Sequence, residues 1–118
     1  MPSVPPGVQV FMAVEPVDLR KSFDGPGAAV QATFGRNVLD GHLFLFLNRR
    51  RDRVKILWWD RDGLALFAKR LERGSYEVPR HAAETRELRL DAVQFALLLG
   101  GVQLDWVKRR PRSAREAS

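Results

Sequence analysis

Gly41-His42-Leu43-Phe44-Leu45-Phe46-Leu47-Asn48-Arg49-Arg50-Arg51-Asp52-Arg53-Val54-Lys55-Ile56-Leu57-Trp58-Trp59-Asp60-Arg61-Asp62-Gly63 is the stretch that decides the fold. Its apolar run, residues 43–47, is too short for a helix of ordinary length and reads as a strand. A polar connection, residues 48–52, leads into a β-rich segment at residues 53–59 with partial alternation. Asp60-Arg61-Asp62-Gly63 is a turn signal, with Gly63 as the expected residue of positive φ. Two strands joined by a short polar loop and followed by a turn predict a hairpin that continues. Downstream, residues 64–71 supply a third strand, Arg73-Gly74-Ser75 a further turn, and Tyr76-Glu77-Val78 a short fourth strand closed by Pro79. The centre of the chain therefore reads as an antiparallel meander.

Upstream, residues 8–14 alternate well enough for a strand with Val8, Val10 and Met12 on one side. Asp18 offers an N-cap ahead of Leu19-Arg20-Lys21-Ser22-Phe23. Pro26 cannot sit inside a helix without removing a hydrogen bond and clashing with the preceding turn. A break at Asp24-Gly25-Pro26-Gly27 is predicted, then a second helix through residues 28–34 with Gly35 as its stop. Past the meander, residues 80–89 are polar and read as a loop. Leu90, Val93, Leu97 and Leu98 then recur at helical spacing, with Asp91 near the start and Gly100-Gly101 at the end. The class predicted is α+β, a small antiparallel meander with helices packed on one side. One domain spans residues 1–106, and residues 107–118 form a flexible basic tail.

Charge narrows the function. The chain of 118 residues carries twenty Lys plus Arg against fourteen Asp plus Glu, a formal net charge of +6, and its pI is near 10.7. That balance attracts polyanions. The basic residues are mostly arginine, whose planar fork of donors suits phosphate oxygens and guanine edges better than the ammonium of lysine. Cysteine is absent, which excludes disulfides, thiolate metal ligands and a thiol nucleophile. The two histidines, His42 and His81, lie far apart in sequence, so a histidine-based zinc site is not expected. No apolar run approaches the roughly 20 residues needed to cross a bilayer. The first residues lack the features of a signal peptide, and a cytoplasmic location is expected.

Three basic clusters are the candidate DNA contacts. The first is Arg49, Arg50 and Arg51, continued by Arg53 and Lys55. Cations crowded on one loop repel one another until an external anion relieves them. The plain alternative is a solvated loop that aids solubility. The second cluster is Lys69, Arg70 and Arg73, after the third strand. In a meander that position shares a sheet end with the first loop, so the two clusters should merge into one patch, with Asp60 and Asp62 at the opposite end. The third cluster is the tail, with Lys108, Arg109, Arg110, Arg112 and Arg115. It is suited to following a phosphate backbone or serving only as a solubilising end.

Other residues carry weaker signals. Trp58 and Trp59 point to opposite faces if both lie on one strand, one for the core and the other free for stacking or for covering a neighbour. Asp60 and Asp62 form an Asp-x-Asp of the kind seen in metal-dependent nucleases, yet Asp-x-Asp-Gly is also an ordinary turn. Asp24-Gly25 and Asp40-Gly41 carry the same turn explanation. His42 opens an apolar strand and reads as a structural residue rather than a general base. The chain contains no phosphate-cradling Gly-x-x-x-x-Gly-Lys, no Gly-x-Ser-x-Gly and no His-Glu-x-x-His, so an enzyme is not expected.

Two ordered stretches, Val17-Asp18-Leu19-Arg20-Lys21-Ser22-Phe23-Asp24-Gly25 and residues 41–53, resemble signatures of the TnpB-type accessory protein of the IS-sixty-six group of bacterial insertion sequences. The likeness continues through residues 54–63 and Lys69-Arg70-Leu71-Glu72-Arg73-Gly74, with a weaker match over residues 90–99. It implies a non-catalytic role in DNA transposition, beside a separate transposase that supplies the catalytic carboxylates, and it implies no cofactor. A module docking on that transposase is the alternative reading. The name shared with an unrelated RNA-guided nuclease carries no activity over. The chain departs from the family pattern at Pro26, where a helix-friendly apolar residue is usual, and at Arg61, where glycine is common. Residues 100–105 differ from the family's typical Gly-Ile-Asp-Trp ending as well.

Overall fold

The computed structural model describes Val4 and residues 6–19, 25–78 and 87–100. In chain order these contain β1 Val10–Ala13, α1 Pro26–Phe34, a 3-10 turn Val38–Asp40, β2 Leu43–Leu47, β3 Arg53–Asp60, β4 Gly63–Arg70, β5 Glu87–Leu90 and α2 Ala92–Leu99. The strands form one sheet in the order β4-β3-β2-β1-β5. β2, β3 and β4 are the expected antiparallel meander. β1 lies parallel to β2, with α1 in the crossover between them. Parallel neighbours need such a crossover because a tight turn cannot join them. β5 closes the sheet antiparallel to β1.

Alternation along the strands builds two apolar cores, one on each face. Val10, Met12, Leu43, Leu45, Leu47, Val54 and Ile56 face α2, where Phe95, Leu98 and Leu99 meet them. Phe11, Ala13, Phe44, Phe46 and Leu57 face α1, where Val30 and Phe34 meet them. Residues 43–47 read as a continuous apolar run because β2 is covered on both sides, leucines toward α2 and phenylalanines toward α1. Phe34 anchors the α1 side, its ring centroid 5.2 Å from Phe44 and 5.5 Å from Phe46. Truncating a ring buried this way costs about 3–5 kcal/mol. The α+β class stands, while the helices, expected on one side, divide one to each face.

Both helices start and stop where the chain chemistry directs. Pro26 takes the first turn of α1, where its missing N–H would have had no partner, and so it opens the helix. Gly35 ends α1 with φ 64, its N–H bonding Gln31 O at 2.8 Å. Asp91 caps α2 with a reciprocal capping box, accepting from Gln94 N at 2.7 Å while Gln94 Oε1 accepts from Asp91 N at 3.0 Å. The helix expected from Asp18 onward falls mostly outside the described residues.

Two expectations are corrected. Tyr76-Glu77-Val78 is not a strand. Tyr76 N instead bonds Arg51 O at 2.6 Å, and the ring sinks into the core on the α2 side. The fifth strand lies further on, at Glu87–Leu90, across the boundary drawn between a polar loop and a helix. Its two leucines alternate, Leu88 opposite Met12 and Leu90 opposite Val10, whereas Glu87 and Arg89 made the segment look like a loop.

Candidate nucleic-acid interface

Register sets the basic side chains. Arg53 lies directly opposite Arg70 across the β3–β4 ladder, and Lys55 opposite Ala68. Opposed residues share a face, and Arg53 and Lys55 alternate with the α2-side residues, which places Arg53, Lys55 and Arg70 on the α1 face. Like charges directly opposed on a sheet repel. Among the described residues, Arg36 pairs with Glu87 at 3.8 Å, and no carboxylate comes within ion-pair distance of Arg49, Arg50, Arg53, Lys55 or Arg70.

The loop after β2 is rigidly built despite its charge. Arg51 N bonds Asn48 O at 3.0 Å to close the turn, and Arg51 itself takes φ 59. The Asn48 amide then locks it, Nδ2 donating to Asp52 Oδ1 at 2.6 Å and Oδ1 accepting from Arg53 N at 3.0 Å. The Asn48 hydrogen bond, aided by Arg53 and Arg50 nearby, holds the Asp52 carboxyl below its ordinary range. Arg49 and Arg50 project from the tip into solvent. The loop after β4 is stitched to this one at both ends, by Leu71 N to Asp52 O at 2.7 Å and Tyr76 N to Arg51 O at 2.6 Å. Arg73 therefore occupies the same sheet end as Arg49, Arg50 and Arg51, as meander topology requires.

A cleft of about 660 Å³ opens beneath the loop. Arg49, Arg50, Arg53 and Lys55 line one side, Pro16, Val17, Asp18 and Leu19 the other, with Phe46 and Leu47 also contributing. Val17 N ties the second wall to the end of β2 through Leu47 O at 3.2 Å. Composition and charge gave no reason to place residues 16–19 here; the signal was their position in the family-like stretch beginning at Val17. Asn48 was likewise read only as part of a polar connection.

Lys69 does not join the patch. Its partner across the ladder is Val54, which puts it on the α2 face, and its Nζ donates to Leu99 O at 2.8 Å. A lysine there satisfies a carbonyl left free by the end of α2. The tail cations Lys108, Arg109, Arg110 and Arg112, with Arg115, lie outside the described residues.

The opposite sheet end is acidic, as expected. Asp60 faces Gly63 across a two-residue turn, and Asp62 N bonds Asp60 O at 2.6 Å. That i to i+2 bond makes a tight γ-turn whose central residue, Arg61, has φ 59; Gly63 is not the left-handed residue. Across the length of β3 the two ends are about 23 Å apart. Among the described residues no group of three His, Cys, Asp or Glu side chains gathers for a metal, so Asp60 and Asp62 have no third ligand there. Trp58 packs against the α2-side core, while Trp59 faces the other way and donates Nε1 to Arg61 O at 3.0 Å. The stacking surface that Trp59 offered thus sits at the acidic end, away from the arginines.

His42 is structural. Its Nδ1 accepts from Gln9 N at 3.0 Å and its ring meets Phe11 edge-on at 5.7 Å. Phe11 also carries the Arg36 guanidinium 4.0 Å above its ring. No described helix is long and apolar enough to cross a membrane.

The chain matches the family described as IS66 Orf2 like protein over residues 8–109. It is 34% identical over 107 residues to the uncharacterized protein y4jC of Sinorhizobium fredii (strain NBRC 101917 / NGR234), covering 89% of this chain and 88% of that one. It is 36% identical over 99 residues to the uncharacterized protein y4hO of the same strain, covering 84% and 83%. No solved structure matches it.

Proposed function

The chain belongs to the family of IS66 Orf2-like proteins, and from that premise we propose a non-catalytic accessory protein of DNA transposition that grips DNA phosphates with one end of its sheet. Arg49, Arg50, Arg51, Arg53, Lys55, Arg70 and Arg73 make the grip, and the cytoplasm is where it acts. The supporting observation is the opposed pair Arg53 and Arg70, beside a cleft lined by three further cations without ion-pair partners among the described residues. A phosphate between them turns repulsion into attraction, and each phosphate neutralised releases counterions to solution. Contacts of this kind position a protein on DNA without reading sequence. The tail cations Lys108, Arg109, Arg110 and Arg112 extend the same contact along the backbone. A separate transposase, supplying the catalytic carboxylates, is the proposed protein partner.

The test is a fluorescence-anisotropy titration against insertion-sequence end DNA, unrelated duplex and single strands over a salt series. The expected log–log slope of duplex affinity against salt is about −4.5 if five cations each neutralise one phosphate. No binding at low salt would defeat the proposal. Co-purification with the transposase that survives nuclease treatment, alongside absent DNA binding, would assign the arginine end to an acidic protein surface instead.

A further inference from the structure

The two edges of the sheet are finished differently. β5 is short, Glu87–Leu90, and places Glu87 and Arg89 on its α1 face. β4 is twice as long, Gly63–Arg70, contains no proline and carries charge only at its last two residues. Its α1-face residues Leu64 and Leu66 are 39% and 55% exposed. The α1-side core is built from β1, β2 and β3 and stops short of them. An edge strand turns one backbone N–H and C=O in every two residues toward open solvent. Long, flat, apolar edges of this kind pair with another strand unless something blunts them.

We propose that β4 pairs antiparallel with β4 of a second copy of this chain, joining two sheets into one across a two-fold axis at Leu66. A symmetric antiparallel pair must set one residue opposite itself. Centring it on Leu66 sets Leu64 opposite Ala68 and Asp62 opposite Arg70. Every exposed apolar residue of the α1 face of β4 then meets another, and directly opposed residues supply most of the side-chain energy of a strand pair. The electrical polarity of the sheet selects the antiparallel sense. Asp60 and Asp62 lie at one end of β4, and Arg70, opposite Arg53, at the other. Reversing one copy sets each acidic turn against the partner's basic end, whereas a parallel pair would set like charge on like. The dimer presents its two arginine clefts at opposite ends of a ten-stranded sheet.

Because the chain has no cysteine, Leu66→Cys is a unique reporter. The full chain should sediment as a concentration-dependent dimer of 13.4 kDa subunits, and Leu66→Cys should cross-link through a short bis-maleimide while Leu39→Cys, equally exposed at 56%, should not. Leu66→Lys should weaken the dimer at least about tenfold by setting two ammonium groups together on the axis. Circular dichroism checks its fold, and Leu66→Thr gives a milder second reading. Asp62→Lys and Arg70→Glu should each weaken the dimer, and the double variant should restore it. A monomer at every concentration overturns the proposal, whether the Leu66→Cys thiol reacts freely or is shielded by other parts of its own chain. A dimer indifferent to Leu66→Lys and to the charge swap overturns it too, since the interface then lies elsewhere.

Discussion

The two turns that flank β3 make a controlled contrast. Each holds an arginine in the left-handed region, Arg51 and Arg61, both at φ 59. At the acidic end Arg61 stands between Asp60 and Asp62, and its carbonyl takes the Trp59 indole, so its cation is more than offset and the turn carries a net negative charge. At the other end Arg51 follows two more arginines, and the nearby carboxylate, Asp52, is held by Asn48. Backbone bonding is also heavier there, with the loop tied to itself through Asn48 and to the next loop through Leu71 and Tyr76. Similar local geometry thus yields a net-acidic turn in one place and a rigid, net-cationic tip in the other. Rigidity matters because a side chain carried on fixed backbone loses less entropy when it binds.

The contrast is broken most sharply by charge. Reversing Arg49 and Arg50 to Glu should lower DNA affinity on the order of 100-fold at fixed moderate salt and flatten the salt slope by about two units. Changing Asp60 and Asp62 to Asn should leave both nearly unchanged. Anisotropy on the same duplex reads both outcomes. Next comes the clamp. Asn48→Ala removes two hydrogen bonds from a part-buried site and should destabilise the fold by about 1–2 kcal/mol in urea unfolding. Among the described residues the acidic turn is held by one side-chain hydrogen bond, from Trp59 Nε1 to Arg61 O, and removing it with Trp59→Phe should cost less.

Relaxing the shared backbone strain sharpens the comparison further. Arg61→Gly and Arg51→Gly each relieve a left-handed conformation that costs a side-chain-bearing residue about 1 kcal/mol, and both should raise the unfolding midpoint. Only Arg51→Gly should also weaken DNA binding. Equal losses of binding from the two would erase the distinction between the ends. The smallest effect is on pH. Asp52 titrates below its ordinary 3.8 in the fold, so its contribution is complete above that value and is lost as pH falls through the lower folded value. Amide shifts of Asn48 and Arg53 in a titration should stay flat above pH 3.8 and move only beneath it.

Much of the architecture was legible because it follows from local rules. The apolar run at residues 43–47, the Asp60-Arg61-Asp62-Gly63 turn and the Gly35 stop each leave a short-range signature, and adjacency of sequential strands did the rest. At position 61, where the resemblance led glycine to be expected, Arg61 takes a φ of 59 that glycine would adopt without strain. What stayed hidden depended on distant partners. β5 has ordinary loop composition and becomes a strand only because β1 offers an edge. Lys69 looked equal to Arg70 in sequence, but one step along a strand reverses the face, and α2 arrives on that side to take its ammonium. The far wall of the cleft, from Pro16 to Leu19, is held by the Val17 N to Leu47 O bond and by Val17 and Leu19 packing on the α1-side core, long-range contacts that no composition reveals. Tyr76 was placed on a strand between a turn signal and Pro79, yet burial in the core decided its position.

The parallel β1–β2 pairing has a consequence during synthesis. β1 leaves the ribosome first of the strands, yet it ends in the sheet interior, between β2 and a β5 that emerges only with Leu90. The β2–β3–β4 hairpins close over short loops and can form early, whereas contacts so remote in sequence form slowly. A nascent chain arrested before β5 would carry Val10-Phe11-Met12-Ala13 as a bare, sticky margin, the kind of surface that chaperones shield and neighbouring polypeptides capture.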